Sequence, residues 1–322
     1  MKKIINKSYG IIFALIIAIP AWVIGNIFPI IGSPVLGILF GMILAFWKRP
    51  SYLNEGITYT SKKLLQYSII LMGFGMNLFN VFKVGKQTMV LMIFTLSASL
   101  ITAYIIGKLL KINNNTATLI GVGSSICGGS AIAATAPVIN ANEQEVAHSI
   151  STIFLFNAIA AFLFPMLGHL FNMSNECFGL WSGTAVNDTS SVVAAGYSYS
   201  NAAGNLAVIV KLTRTLAIYA SKNGSENKKG SYNIIKIFPW FVLGFIAASI
   251  VNTFIPFPSE VTKFLSQTGK FVIVMAMVCV GLNTNIVELC KNAVKPILLG
   301  FICWIVLSFT SLGVQHFIMG IF

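Results

Sequence analysis

The chain has 322 residues, of which 56% are hydrophobic and only 9% are charged, and its mean hydropathy is +0.84. A soluble domain carries about 25% charged residues, so this composition excludes a soluble globular protein and a disordered one. The 21 Lys and Arg residues outnumber the 8 Asp and Glu residues. No basic stripe with interleaved aromatic residues accompanies them, so we expect no nucleic-acid partner. The remaining class is an all-α polytopic membrane protein.

Apolar runs predict about eleven membrane segments, since a spanning helix needs about 20 apolar residues. Residues 9–47 carry no charge and are long enough for two segments. The other runs cover residues 64–82, 87–107, 116–140, 146–167, 178–197, 206–220, 234–254, 271–289 and 297–318. The longest polar loop, residues 221–233, is too short to form a domain, so residues 1–322 are predicted to form a single membrane domain.

The basic residues predict an orientation for these segments. An N-terminus in the cytoplasm places fifteen Lys and Arg residues in cytoplasmic loops and four in outer loops. Cytoplasmic loops are expected to be the more basic ones. The four outer residues are Lys83, Lys86, Lys263 and Lys270. We therefore expect a cell-membrane protein with a cytoplasmic N-terminus and an external C-terminus.

Two of the segments carry small polar residues and glycines at mid-span, which predicts broken helices. The first break lies within GVGSSICGGSAIAATAP (121–137) and the second within GLWSGTAVNDTSSVVAAG (179–196). A half-helix that begins inside the membrane directs unpaired N–H groups and its positive dipole end at the break, where an anion can bind. Close packing between small residues is the alternative interpretation.

Charged residues inside apolar runs are the other unusual feature. Lys211 and Arg214 lie three residues apart on one helix face, at about the same predicted depth as Asp188. Such charges are costly in a membrane and usually face a cavity or each other. With two cations and one carboxylate, one positive charge remains unpaired and is available to bind a ligand. The alternative is an Asp188–Arg214 ion pair with a purely structural role.

Short repeated stretches predict inverted repeats of the kind found in secondary transporters. Gly75-Met-Asn77 and Gly281-Leu-Asn283 each follow an apolar run, and their segments have opposite predicted directions. Chance similarity between Gly- and Leu-rich segments would give the same pattern. The sequence has no P-loop, no dinucleotide fingerprint, no Ser/His/Asp grouping and no C-x-x-C pair. We therefore expect no enzyme activity, no cofactor and no metal site.

The stretch GVGSSICGGSAIAATAPVINA, together with GLWSGTAVNDTSSVVAAG, VKLTR and GLNT, resembles the YeiH-type family of bacterial membrane proteins, which are often described as sulfate exporters. The resemblance covers nearly the whole chain. It implies a bacterial inner-membrane location and a relation to folds with crossed, broken helices. In such folds a core domain carrying both broken helices moves against a panel domain. The resemblance also implies that residues 124–130 and 187–191 carry the binding site.

These observations predict a secondary transporter of a small anion, sulfate-like or organosulfonate-like, that exports it in exchange for or together with H⁺ or Na⁺. Asp188 is the predicted ion-coupling residue. The predicted substrate-binding residues are Ser124, Ser125, Cys127, Gly128, Gly129, Ser130, Asn187, Thr189, Ser190, Ser191, Lys211 and Arg214. The expected partners are the small anion and membrane lipid. A homodimer is compatible with the sequence. The alternatives are a cation/proton antiporter that uses Asp188 and a membrane receptor or scaffold without transport.

Overall fold

The computed structural model describes residues 2–28, 32–47, 49–223, 240–255, 257–284 and 294–320, and the regular elements in these ranges are helices. The first five are α1 (Lys2–Ile27), α2 (Ser33–Ala45), α3 (Asn54–Tyr59), α4 (Leu65–Gly73) and α5 (Leu78–Leu109). A 3₁₀ turn (Ser51–Leu53) precedes α3, and a π-helical segment (Thr60–Leu64) joins α3 to α4. The next six are α6 (Asn114–Ser125), α7 (Gly129–Thr135), α8 (Glu143–Leu170), α9 (Asn175–Ala185), α10 (Thr189–Tyr199) and α11 (Asn201–Asn223). The last three are α12 (Trp240–Phe254), α13 (Ser259–Leu282) and α14 (Val294–Phe317).

The predicted all-α polytopic class is confirmed. In order, the helices correspond to the predicted segments, with α6–α7 and α9–α10 as the two interrupted ones. Within the described ranges, five helical stretches are long and apolar enough to cross a membrane: Lys7–Ile27, Leu78–Leu109, Glu143–Leu170, Glu260–Leu282 and Val294–Phe317. The predicted positions 234–239 and 285–289, and the loop positions 224–233, lie outside the described residues.

The four lysines of the two predicted outer loops lie in helices instead. Lys83 and Lys86 lie in α5, and Lys263 and Lys270 lie in α13. Helix α5 has 32 residues and is therefore about 48 Å long, which exceeds the roughly 30 Å hydrocarbon core of a bilayer. Its first turns can extend beyond the apolar layer, so these lysines lie towards the end where the loops were expected.

The helices form two bundles. The panel bundle contains α1 to α4, α12 and α13, and the core bundle contains α5 to α11 and α14. Within the panel bundle α2 crosses α13 at Gly41 and Gly281, where a Cβ on Gly41 would lie 2.2 Å from the Val278 carbonyl oxygen. Glycine at this crossing lets the two backbones touch. The bundles meet mainly where α10 packs against α2 and α13.

The first interrupted segment is a hairpin that returns to the end from which it starts. A Cβ on Gly123 in α6 would lie 2.9 Å from the Ile132 side chain in α7, so the two half-helices pack side by side. Asn115, at the start of α6, donates from Nδ2 to Glu145 Oε2 at the start of α8 over 3.2 Å. Helices α6 and α8 therefore begin at the same end of the molecule. We call α6–α7 hairpin 1.

The second interrupted segment has the same form, and we call α9–α10 hairpin 2. Ser200, just after α10, donates from Oγ to Oδ1 of Asn175, the first residue of α9, over 2.5 Å. Gly179 packs against Leu206, and Gly183 packs against Val210, so α9 runs parallel to α11. The segment therefore re-enters rather than crosses.

Helix α8 connects the bases of the two hairpins. At one end Glu145 contacts the base of hairpin 1, and at the other Gly168 packs against Phe178 near the base of hairpin 2. The hairpins therefore enter from opposite ends, and their tips, at residues 126–128 and 186–188, meet beside Asn157. This geometry differs from the expected crossing of both segments. Re-entry of both hairpins would remove two membrane passes together, so the positions expected for the termini stay the same in either course.

Candidate functional site

A cavity of about 590 Å³ lies between the core and panel bundles. The core bundle contributes hydroxyl, amide and carboxylate groups near both hairpin tips: Ser130, Ser151, Asn157, Asp188, Thr189, Ser190 and Ser191. The panel bundle contributes polar groups from three of its elements: Ser61, Lys62, Gln66, Asn283 and Thr284. Ile38, Leu65, Ile69, Phe154 and Phe241 are among its apolar lining residues. This arrangement is that of a ligand pocket, with apolar walls and a few convergent polar groups.

The two buried cations bind the ends of the half-helices that lead into the tips. Lys211 Nζ donates to the Ile126 carbonyl over 3.1 Å and to the Val186 carbonyl over 3.2 Å. The Arg214 guanidinium donates to the carbonyls of Ser125 and Thr184. Each cation therefore joins hairpin 1 to hairpin 2. The C-terminal end of a helix has unpaired carbonyls and a partial negative charge, which a cation stabilises.

Lys211 and Arg214 are almost completely buried, with 0% and 1% of their surfaces exposed. Neither residue lines the cavity, and their bonds go to the backbone behind its wall. Within the described ranges no ion pair joins either cation to Asp188. The positive charge lies behind the tips, where its field reaches the cavity although its hydrogen-bond donors do not.

Asp188 caps the N-terminus of α10. Its Oδ2 accepts from the backbone N–H groups of Ser190, over 2.9 Å, and Ser191, over 3.4 Å, and from the Ser190 hydroxyl. A carboxylate at an N-cap satisfies unpaired N–H groups and favours the positive end of the helix dipole. Asp188 is the one carboxylate among the residues that line this cavity. An anion at this helix end would therefore lie close to a negative side chain.

Asn157 on α8 lies between the two tips and is 2% exposed. Its Oδ1 accepts from the backbone N–H groups of Asn187, over 3.0 Å, and Asp188, over 3.3 Å. Its Nδ2 has no hydrogen-bond partner among the described residues, and a Cβ on Gly128 would lie 3.6 Å from it. A buried donor without a partner costs about 1–3 kcal/mol, so this amide is a candidate ligand contact.

The panel side of the cavity is fixed by Arg49, in the loop after α2. Its guanidinium donates to the Leu282 carbonyl over 2.6 Å, to Asn283 Oδ1 over 2.8 Å and to Asn54 Oδ1 over 2.7 Å. Partial burial lowers the pKa of Arg49 from its ordinary value. These bonds hold the C-terminal end of α13 beside the π-helical segment that carries Lys62. Such π-helical insertions are frequent at functional sites.

Five of the predicted site residues line the cavity, namely Ser130, Asp188, Thr189, Ser190 and Ser191. The others surround the hairpin tips behind its wall: Ser124, Ser125, Cys127, Gly128, Gly129, Asn187, Lys211 and Arg214. Sequence reasoning did not select Ser61, Lys62, Gln66 or Asn157. A signal for Asn157 was available, because it is an amide within the apolar run 146–167.

A second cavity, of about 340 Å³, lies at the C-terminal end of α10. Its lining includes Gly32, Ser198 and Lys270. Gly32 has φ +76°, and a Cβ there would lie 2.5 Å from Ser198 Cα, so the panel and core backbones touch at this point. The two cavities thus lie at opposite ends of α10.

Comparison with known proteins gives consistent matches over most of the chain. Residues 9–300 match the family model described as Conserved hypothetical protein 698. A UPF0324 membrane protein of Fusobacterium nucleatum is 47% identical over 98% of this chain and 99% of its own length. UPF0324 membrane proteins of Streptococcus mutans and Streptococcus agalactiae are 48% and 49% identical, each over 97% of its own length and over 97% and 96% of this chain. These names and the apolar helices support a multi-pass membrane location.

Proposed function

The chain belongs to the UPF0324, or YeiH-type, family of conserved membrane proteins, and from that premise we propose that it is a secondary transporter of a small anion and not an enzyme. The observation that carries the proposal is the polar cavity between two bundles, closed on the core side by the tips of two re-entrant hairpins. Irregular backbone at membrane depth is tolerated where it lines a cavity, and transporters place their binding sites there.

The two cavities at opposite ends of α10 support alternating access. Contacts of α10 with α2 and α13 separate them, and these contacts are a small part of the packing in the molecule. A shift of the core bundle against the panel bundle would exchange which cavity reaches the hairpin tips. This is the rigid-body motion by which many transporters work.

The charge around the cavity supports an anion as substrate. Lys62 lies on the wall, and Lys211 and Arg214 lie behind the tips, against the single cavity carboxylate Asp188. In this proposal Lys211 and Arg214 act by their charge through the tips, and the Thr189 hydroxyl donates to the ligand. The Ser130 and Ser190 hydroxyls line the cavity but donate to the Cys127 carbonyl and to Asp188, so they would have to turn to donate to an anion. The positive charge around the cavity suits a sulfate-like or organosulfonate-like ion.

Asp188 supports coupling to H⁺ or Na⁺. A bound anion and the Asp188 carboxylate repel each other, and protonation or cation binding at Asp188 removes that repulsion. The larger cavity lies at the end that carries Arg49, Lys62 and the C-terminus of α13, which is the cytoplasmic end in the proposed topology. A cytoplasmic N-terminus, an external C-terminus and a cell-membrane location complete the proposal, and loading from this side is what an exporter requires.

The test is flux in proteoliposomes containing the purified full-length protein, with labelled sulfate and a small organosulfonate under imposed pH, Na⁺ and voltage gradients. We expect saturable anion flux that depends on at least one of these gradients. Protein-free vesicles give the background. If neither anion moves above that background, the proposed substrate class is wrong.

The cation/proton antiporter is the second candidate, favoured by the position of Asp188 on the cavity wall. Vesicles with an internal pH-sensitive dye distinguish it. Addition of Na⁺ or K⁺ would move protons in an antiporter, without any requirement for sulfate. A receptor or scaffold would produce neither signal.

A further inference from the structure

Two asparagine side chains, one from each bundle, line the cavity between the bundles with their amide orientation fixed. Asn157 belongs to α8 of the core bundle, and Asn283 follows α13 of the panel bundle. An Asn amide has an oxygen that accepts and a nitrogen that only donates. The identity of the groups that contact each oxygen therefore decides what the other half of the amide can offer.

The orientation of Asn157 follows from its two backbone partners. The N–H groups of Asn187 and Asp188 are donors, so the atom that faces both of them must be the amide oxygen. These two bonds use both lone pairs of that oxygen. What remains is the NH₂ group, which is buried and has no partner in the described part of the chain.

The orientation of Asn283 follows from Arg49. A guanidinium has no acceptor, so the atom 2.8 Å from it must be Oδ1 of Asn283. Arg49 is itself held by the Leu282 carbonyl and by Asn54, which fixes this contact. The NH₂ group of Asn283 is then the half of the amide that is available on the panel side.

We propose that Asn157 and Asn283 are substrate-binding residues that donate from their NH₂ groups to the oxygens of a sulfate-like oxyanion held between the two bundles. This inference rests on the proposed function and deepens it. A metal cation would need amide oxygens as ligands, and the structural contacts of both residues engage those oxygens. An oxyanion has several acceptor oxygens, so it can bind both donors at once, with Lys62 as the nearby charge on the wall.

Substitution by Asp tests the two donors separately from the fold. In Asn157→Asp one carboxylate oxygen still accepts from Asn187 and Asp188, and in Asn283→Asp one still accepts from Arg49. The second oxygen replaces the NH₂ donor and adds a negative charge. We expect each variant to fold and to bind sulfate at least about tenfold more weakly than wild type, since a factor of ten corresponds to one hydrogen bond to a charged group of about 1.4 kcal/mol.

Binding is measured by calorimetry with sulfate and with inorganic phosphate on the purified full-length protein. The matched control is Asn77→Asp. Asn77 caps α5 through an Oδ1 that accepts from Phe79 N–H over 2.8 Å, and it does not line the cavity. This variant carries the same change in charge and should bind sulfate as wild type does. If Asn157→Asp does not fold, Asn283→Asp alone decides, because the proposal requires both donors.

The outcomes separate this inference from the proposed function. Weaker binding in the Asp variants together with absent flux supports the inference and contradicts the transporter. Flux in the wild type together with unchanged binding in the Asp variants overturns the inference and leaves the transporter intact. Absence of any oxyanion binding to wild type also overturns the inference.

Discussion

At the scale of single residues, the main result is that the buried cations have structural partners. Lys211 and Arg214 each join one carbonyl of hairpin 1 to one of hairpin 2. The sequence predicted that both residues lie at the same membrane depth as Asp188, because each helical residue advances the chain by about 1.5 Å. It could not show their partners, because backbone carbonyls at a helix end carry no residue signature.

Replacing Lys211 should therefore destabilise the fold more than it changes the cavity wall. In Lys211→Met two buried carbonyls lose a charged donor. We expect the free energy of unfolding to fall by about 1.5–3 kcal/mol, the range for a hydrogen bond to a charged group. Thermal unfolding of the detergent-purified protein measures the change. The control is Lys83→Met on the exposed surface of α5, which should unfold as wild type does. Equal unfolding temperatures for the two variants would contradict this structural role.

Asp188→Asn separates charge from capping. Asn is about as good an N-cap as Asp, so the unfolding free energy should change by less than about 1 kcal/mol. The negative charge on the cavity wall is lost, so sulfate binding should become stronger. Thermal unfolding and calorimetry with sulfate check the two effects. Sulfate binding as weak as that of the wild type would show that the Asp188 charge does not act on the bound anion.

At the scale of elements, the sequence predicted most helices but not the re-entrant course of two segments. The breaks at residues 126–128 and 186–188 were predicted because glycine and small polar residues concentrate there. Hydropathy cannot tell a hairpin from a crossing helix of equal length. The charge rule could not help either, because the loops at 136–142 and 171–174 contain no Lys or Arg. The asymmetry of basic residues is therefore identical for both topologies.

Labelling of single introduced cysteines from either side of the membrane distinguishes the two courses. The hairpins predict that Asn114→Cys and Gln144→Cys react from one side, and that Leu170→Cys and Asn201→Cys react from the other. All four positions are exposed. The background is a chain in which the native cysteines are replaced. Reaction of Asn114→Cys and Gln144→Cys from opposite sides would mean that residues 114–140 cross the membrane.

At the scale of the whole molecule, α10 lies at the boundary between the bundles with one cavity at each of its ends. At the smaller cavity the two bundles are in direct contact, because Gly32 of the panel bundle packs against Ser198 of the core bundle. Sequence reasoning predicted a core and a panel only through resemblance to related folds. The division of the helices between them depends on long-range packing, such as the crossing of Gly41 with Gly281, that no local pattern specifies.

Gly32→Ala should open this contact. The new Cβ would meet Ser198, so the bundles must separate there. The backbone of Gly32, with φ +76° and ψ 142°, is one that essentially only glycine adopts, so alanine adds strain of about 1–3 kcal/mol. We expect a cysteine introduced at Ile273, which lines the smaller cavity and is 1% exposed, to react faster with an impermeant thiol reagent. Gly320→Ala is the control. Gly320 has φ +63° with open space around it, so it shares the positive φ without the contact. Equal acceleration by both variants would rule out a gate at Gly32.

The bridges made by Lys211 and Arg214 also bear on how the protein is assembled during synthesis. A Lys or Arg at the centre of an isolated membrane helix raises the free energy of insertion by about 2.5–3.5 kcal/mol. Helix α11 carries both, so it is a poor candidate for insertion by itself. The four carbonyls that these cations bind belong to hairpins that leave the ribosome earlier. We therefore expect α11 to enter the bilayer against hairpins that are already formed. The hairpin carbonyls are then in place to accept hydrogen bonds when Lys211 and Arg214 enter the membrane.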